Sequence, residues 1–246
     1  MSHGSKVEYY GIIVNMLIIG HRGAAGLAPE NTMASMQAAY EAGADMIEFD
    51  VRLTHDNRLV VIHDAKLSRT HHHKNAVANL TYKQLCELTA DKPVPLVADV
   101  LNEYYGKILL NIEIKSRGSA DRLVRLLKKT CINKASDWDN CIISSFKATE
   151  LLRIRRLSPH ANLALLHDQN PFIFIAYHRF IRLTAVGFHR LHLNNFATEI
   201  AKRAGLFTYV YTVNRPAAMR HLSAQGIDGI VTNYPDKCLA ELEKEN

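Results

Sequence analysis

Two short stretches place carboxylates where they could act together. In residues 44–51 (ADMIEFDV), the two-residue period of a β-strand puts Met46, Glu48 and Asp50 on one face and Ile47, Phe49 and Val51 on the other. In residues 111–115 (NIEIK), Asn111, Glu113 and Lys115 alternate with Ile112 and Ile114 in the same way. One such strand is ambiguous, since an exposed acidic pair with its apolar face turned to the core has the same pattern. Its recurrence in a second strand favours a shared site. Three carboxylates bring together three negative charges, more than a low-dielectric cleft holds without a cation. All-oxygen ligation suits a hard ion, Mg²⁺ or Ca²⁺, rather than Zn²⁺. Arg22 and Lys115 are then available for phosphate oxygens, Arg as a planar fork and Lys as a point charge. His21 and His63 each follow an apolar run, and imidazole titrates near neutral pH, so the two form a candidate acid and base pair.

Such a site needs several strands ending at one place. β-branched apolar runs at residues 17–20, 45–53, 108–114, 141–144, 163–166, 184–188, 207–213 and 229–232 alternate with helical patterns. Those patterns cover residues 32–42, 120–130, 147–157, 172–182, 197–204, 216–225 and 235–243. Eight strands in βα repeats predict an α/β fold, a (β/α)8 TIM barrel, and 246 residues fit one such domain. Residues 59–105 break the repeat with an extra apolar run and two short helical patterns. They read as a small insertion between the second and third barrel strands, over the mouth, with its body at about residues 64–105. His71 to His73 read as a solvated loop, and the aromatic run from Phe172 to Phe180 as a half-buried helix rather than a greasy lid.

Composition constrains the setting. Apolar residues at 48% and charged residues at 22% are globular values, which excludes disordered and fibrous classes. A net charge of +6 suits an anionic partner without choosing among substrate, membrane surface and nucleic acid. Part of it, Arg122, Arg125, Lys128 and Lys129, reads as the solvated face of one amphipathic helix. The four cysteines have no C-x-x-C spacing and read as reduced thiols. Residues 11–20 (GIIVNMLIIG) are too short for a membrane span and lack a cleavage site, so a cytoplasmic location without stable membrane insertion is expected. Residues 1–15 read either as a leader or as native chain, with Met16 an alternative start.

Beyond the residues themselves, an ordered set of motifs closely resembles the glycerophosphodiester phosphodiesterase family. His21-Arg22-Gly23, Pro29-Glu30-Asn31-Thr32, Gly43-Ala44-Asp45, Glu48-Phe49-Asp50-Val51 and His63-Asp64 begin it. Asn111 to Lys115, Ser144-Ser145-Phe146, Thr212-Val213-Asn214 and Asp228 to Thr232 continue it. The resemblance implies a barrel with a small insertion, a divalent metal, and hydrolysis of glycerophosphodiesters to glycerol 3-phosphate and an alcohol. It implies metal ligands at Glu48, Asp50 and Glu113, catalytic histidines at His21 and His63, and phosphate contacts at Arg22 and Lys115. The expected partner is a small-molecule glycerophosphodiester, with no nucleic acid; the oligomeric state is left open. Three positions depart from the family pattern: His71 to Asn75 replace a Gly-bearing turn, Tyr211 stands for a Trp, and Asn233 for an Asp. Two rival readings are a phospholipase D-like enzyme acting on lysophospholipids and a non-catalytic binding barrel, which fold alone does not exclude.

Overall fold

The computed structural model describes residues 6–9 and 12–243. Eight parallel strands close into a barrel: β3 (Leu17–Gly20), β4 (Met46–Leu53), β6 (Leu109–Ile114), β7 (Cys141–Ser145), β8 (Asn162–His167), β9 (Ala185–His189), β10 (Phe207–Tyr211) and β11 (Gly229–Thr232). Closure comes from β3 pairing with both β4 and β11. The remaining strand of this sheet, β5 (Leu59–Val61), lies outside the ring, antiparallel to the carboxyl end of β4 with Val51 opposite Val61. Before the barrel, β1 (Lys6–Tyr9) and β2 (Ile12–Asn15) pair antiparallel as a separate two-stranded sheet. They belong to the stretch left open as a leader, of which residues 1–5 and 10–11 lie outside the described residues.

Helices follow the strands as the period-3.6 patterns predict. α1 (Met33–Glu41) is capped by Thr32, whose hydroxyl accepts the Ser35 N–H at 3.1 Å. Between β4 and β6 come α2 (Ser68–His71), α3 (Tyr82–Leu88) and α4 (Val97–Tyr104). After β6 the outer layer is α5 (Ser119–Thr130), α6 (Ala148–Leu157), α7 (Ile173–Ile181), α8 (Asn195–Arg203), α9 (Pro216–Ala224) and α10 (Pro235–Glu243). None of these is long and apolar enough to cross a membrane. All four cysteines are free thiols.

Two layers of burial explain the strand patterns. Ile47, Phe49 and Val51 point outward and join the large core between strands and helices. Ile19, Met46, Ala164, Leu166, Ala185, Tyr209 and Val231 fill the barrel interior. Gly187 is needed there, because a Cβ would stand 2.5 Å from the Leu166 side chain and 2.8 Å from that of Tyr209. β5 and the segment after it share a small core of Val60, Ile62, Leu67, Val77, Leu80, Leu85 and Val94. α4 does not share it. Val97, Val100, Leu101 and Tyr104 recur at i, i+3, i+4 and i+7 and enter the main core, so α4 is the barrel's own helix between β4 and β6. The solvated loop expected at His71 to His73 fits His72 but not His71. That ring is buried, with Nδ1 at 2.8 Å from the Thr70 hydroxyl and Nε2 at 3.0 Å from the Lys92 carbonyl.

Candidate active site

The carboxyl ends of β3, β4 and β6 meet at the barrel mouth. β4 and β6 run in register with Glu48 beside Asn111 and Asp50 beside Glu113, so strand pairing alone stacks the carboxylates. Glu48, Asp50 and Glu113 are all buried, and one oxygen from each lies within 4.8 Å of the others. The backbone after β3 wraps this group. Arg22 adopts φ +52°, and its N–H donates to Glu48 Oε2 at 2.8 Å. Gly23, at φ +81°, donates its N–H to the Glu48 carbonyl at 3.0 Å, and a Cβ there would stand 2.4 Å from the Ser35 backbone. The H-R-G run is thus a turn that brings a backbone donor onto a carboxylate, with glycine required where α1 crosses it.

Electrostatics of the cluster follow from its burial. Burial, with Asp50 and Glu113 adding repulsion, holds the Glu48 carboxyl well above the usual carboxylate range. Burial and the Asp50 charge push Glu113 up to about 7. Burial acts on Asp50 too, but Lys115, Arg22 and His63 outweigh it and hold that carboxyl below its ordinary value. Lys115 Nζ lies 2.5 Å from Glu113 Oε1 and 3.3 Å from Asp50 Oδ1, and Arg22 Nε lies 3.3 Å from Asp50 Oδ2. Two cations therefore face three carboxylates. Glu48 Oε1 is buried with no hydrogen-bond partner. An orphaned buried oxygen, beside carboxyls that burial and mutual repulsion hold back from ionising until a cation offsets their charge, in an all-oxygen donor set, fits a hard divalent cation.

Both histidines are anchored through Nδ1, though by different partners. His21 Nδ1 lies 2.6 Å from Asn233 Oδ1, and burial followed by the Arg22 charge lowers this imidazole to about 4. His63 Nδ1 lies 2.6 Å from Asp64 Oδ1; burial lowers it also, while the Asp50 and Asp64 carboxylates pull the other way. His21 lines an interior cavity with Glu48, Asn111, Glu113, Ser144, Leu166, Tyr209, Tyr211 and Val231. Its far wall is aromatic, and the Phe146 ring stands edge-on to Tyr211 at 6.1 Å, with Lys115 Nζ 5.3 Å from the Phe146 centroid.

All seven residues expected from sequence converge here, but Arg22 and Lys115 are already held against carboxylates. Further partners, to which the sequence assigns no role, join them: Asn31, Glu30 and Asp64 from within the motifs and Arg69 from outside them. Asn31 binds Asp50 from a left-handed position at φ +57°. Arg69, on α2, binds Glu30 with two nitrogens at 2.7 and 2.6 Å and Asp64 Oδ2 at 2.6 Å. Glu30 in turn accepts from Arg22 Nη1 at 2.8 Å. The inserted segment is therefore bound to the first loop by a chain of ions running Arg22, Glu30, Arg69 and Asp64, which ends on the His63 ring.

A sequence model of the glycerophosphoryl diester phosphodiesterase family matches residues 21–237. The chain belongs to this family. The glycerophosphodiester phosphodiesterase of Caldanaerobacter subterraneus subsp. tengcongensis is 31% identical, over 93% of this chain and 98% of the relative. That of Bacillus altitudinis is also 31% identical, over 90% of this chain and 96% of its own length. Among solved structures, the family member from Thermotoga maritima superposes with a TM-score of 0.79 at 27% identity, covering 92% of this chain and 97% of that one. Its barrel is the fold described above.

Proposed function

We propose that the chain hydrolyses glycerophosphodiesters to glycerol 3-phosphate and an alcohol, using one divalent cation, Mg²⁺ or Ca²⁺, and two histidines. The observation that carries this reading is the buried trio Glu48, Asp50 and Glu113 within 4.8 Å, edged by Arg22 and Lys115, in a chain of this family. When bound by the three carboxylates, the cation offsets their charge and screens that of the substrate phosphate. Arg22 and Lys115, released from part of their attraction to the carboxylates, orient the phosphate oxygens.

His21 is neutral at pH 7 and has a neutral amide partner, so it removes the proton from the glycerol 2-hydroxyl. With Asn233 presenting its oxygen, Nδ1 carries the ring proton and Nε2 is the acceptor. Of the two rings, only His63 has a carboxylate at Nδ1, which offsets part of the lowering by burial, so the proton donation to the leaving alcohol is assigned to it. The 2-hydroxyl oxygen forms the new P–O bond as the bond to the alcohol breaks, and water then opens the cyclic phosphate with the two histidines in exchanged roles.

Product analysis on glycerophosphocholine tests the function. Release of glycerol 3-phosphate and choline is expected; release of phosphocholine, or no turnover in the presence of Mg²⁺ or Ca²⁺, would contradict it.

A further inference from the structure

Among the described residues eleven large apolar side chains are exposed, and seven of these fall within residues 172–196. Phe180 is 78% exposed, Leu191 69% and Phe196 68%. α7, where the sequence predicts a half-buried helix, buries only Phe174 and Ile181. Ile173, Tyr177 and Phe180 recur at i, i+4 and i+7 and form one exposed stripe. At its upper end the Phe172 ring stands 6.3 Å from that of Phe196, which joins the stripe to the start of α8. Phe172, Leu191 and Phe196 lie on segments following the carboxyl ends of β8 and β9, the same barrel face as the carboxylate cluster. Scattered exposed apolar residues are ordinary, but a contiguous set marks a surface that is covered in use.

The charge of this sector indicates what covers it. Residues 169–198 contain no Asp or Glu, three Arg and three His. Arg179, Arg182 and Arg190 form no salt bridge within the described residues. Arg179 on α7, Arg182 directly after it and Arg190 after β9 stand among these aromatic and aliphatic side chains, a combination that matches an interface apolar at depth and anionic at its surface. A second copy of the chain is a poor occupant. A self-complementary contact would set each arginine near its symmetry mates with no carboxylate from this sector between them.

We infer that α7 and the adjoining loops dock the protein on the surface of a bilayer containing anionic lipid. Phe172, Phe180 and Phe196 enter the headgroup boundary while Arg179, Arg182 and Arg190 meet lipid phosphates. The attachment is peripheral, and it sets the barrel mouth beside the membrane surface.

Co-sedimentation with vesicles at low salt tests this, using phosphatidylcholine alone and phosphatidylcholine with about 30% phosphatidylglycerol. The full chain is expected to bind the anionic vesicles at least about tenfold more tightly. The double variants Phe180→Ser/Phe196→Ser and Arg179→Gln/Arg182→Gln should each lose about tenfold or more of that binding, with melting temperature and turnover of soluble glycerophosphocholine unchanged. Three results would overturn the proposal: no vesicle binding by the unaltered chain, equal binding to both vesicle types, or variants that bind as tightly as the parent. A dimer in solution that the Phe180→Ser/Phe196→Ser change dissociates, without vesicle binding, would give the surface to a second copy instead.

Discussion

Asn31 and Asp50 exchange two hydrogen bonds. The Asn31 amide Nδ2 donates to Asp50 Oδ2 at 2.9 Å, and the Asp50 backbone N–H donates to Asn31 Oδ1 at 3.1 Å. Both residues are buried, and Asn31 sits in the left-handed region that asparagine tolerates better than most side chains. The pair aims one carboxylate oxygen and fixes the loop before α1 onto β4. Partners that orient a ligand are typically worth about 10–100-fold in metal affinity or activity. Asn31→Ala is therefore expected to raise the cation concentration needed for half-maximal activity by about that factor. An unchanged metal titration would show that Asp50 needs no such support.

Replacing His21 or His63 by alanine should each lower turnover by about 10² to 10⁴-fold, the usual range for a positioned proton-transfer group. Asp64→Asn should resemble a weaker His63 variant, since the 2.6 Å contact at Nδ1 would persist without its charge. Steady-state rates on glycerophosphocholine provide the readout. A loss under about tenfold at either histidine would make that residue structural.

Much of this arrangement is readable from sequence because it rests on periodicity. A strand alternates faces, so Glu48, Asp50 and Glu113 are forced to one side once 46–53 and 109–114 are strands, and the βα repeat supplies the barrel. What escapes depends on contacts that periodicity does not encode. Asn233 reaches His21 across 212 residues, and Arg69 reaches Glu30 across 39. Asn31 stands in the Pro29-Glu30-Asn31-Thr32 motif, but nothing local in the sequence shows that its side chain crosses to Asp50 from a left-handed position. α4 carried its own signal in the spacing of Val97, Val100, Leu101 and Tyr104, but its position after an irregular segment associates it with the insertion. The exposure of α7 is not legible at all, since an apolar helical stripe looks the same whether or not a neighbour covers it.

Glu30 links stability to pH. Although burial would raise it, the hydrogen bonds and charges of Arg69 and Arg22 hold its carboxyl down at about 2. The folded value is below the unfolded value of about 4.3, so the stabilisation is present above that pH and is lost as pH falls towards 2. Arg69 is half exposed, and screening limits the expected effect of Glu30→Gln at pH 7 to about 1 kcal/mol, or about 2–4 °C in melting temperature. Thermal melts of both proteins from pH 7 down to pH 3 should show that gap narrowing. A gap independent of pH would mean that Glu30 acts through packing alone.

The identity of the nucleophile can be read from an analogue of glycerophosphocholine with hydrogen in place of the 2-hydroxyl. It keeps the phosphate and the leaving alcohol, so it should bind as an inhibitor and scarcely react. Intramolecular attack draws on effective molarities of about 10⁵ M or more, which the analogue forfeits. Turnover within about tenfold of the natural substrate, a difference of about 1.4 kcal/mol in barrier, would instead assign the attack to water.

Dependence of hydrolysis on a divalent cation held by Glu48, Asp50 and Glu113 carries the proposed mechanism. Its most direct test is the rate of glycerol 3-phosphate release from glycerophosphocholine in excess chelator, and again as Mg²⁺ or Ca²⁺ is titrated back, for the parent chain and for Glu113→Gln. Activity is expected to vanish with the chelator and to return with the ion, and Glu113→Gln should need more ion while melting as a folded protein. Full turnover in excess chelator, or superimposable titrations for the two proteins, would contradict it.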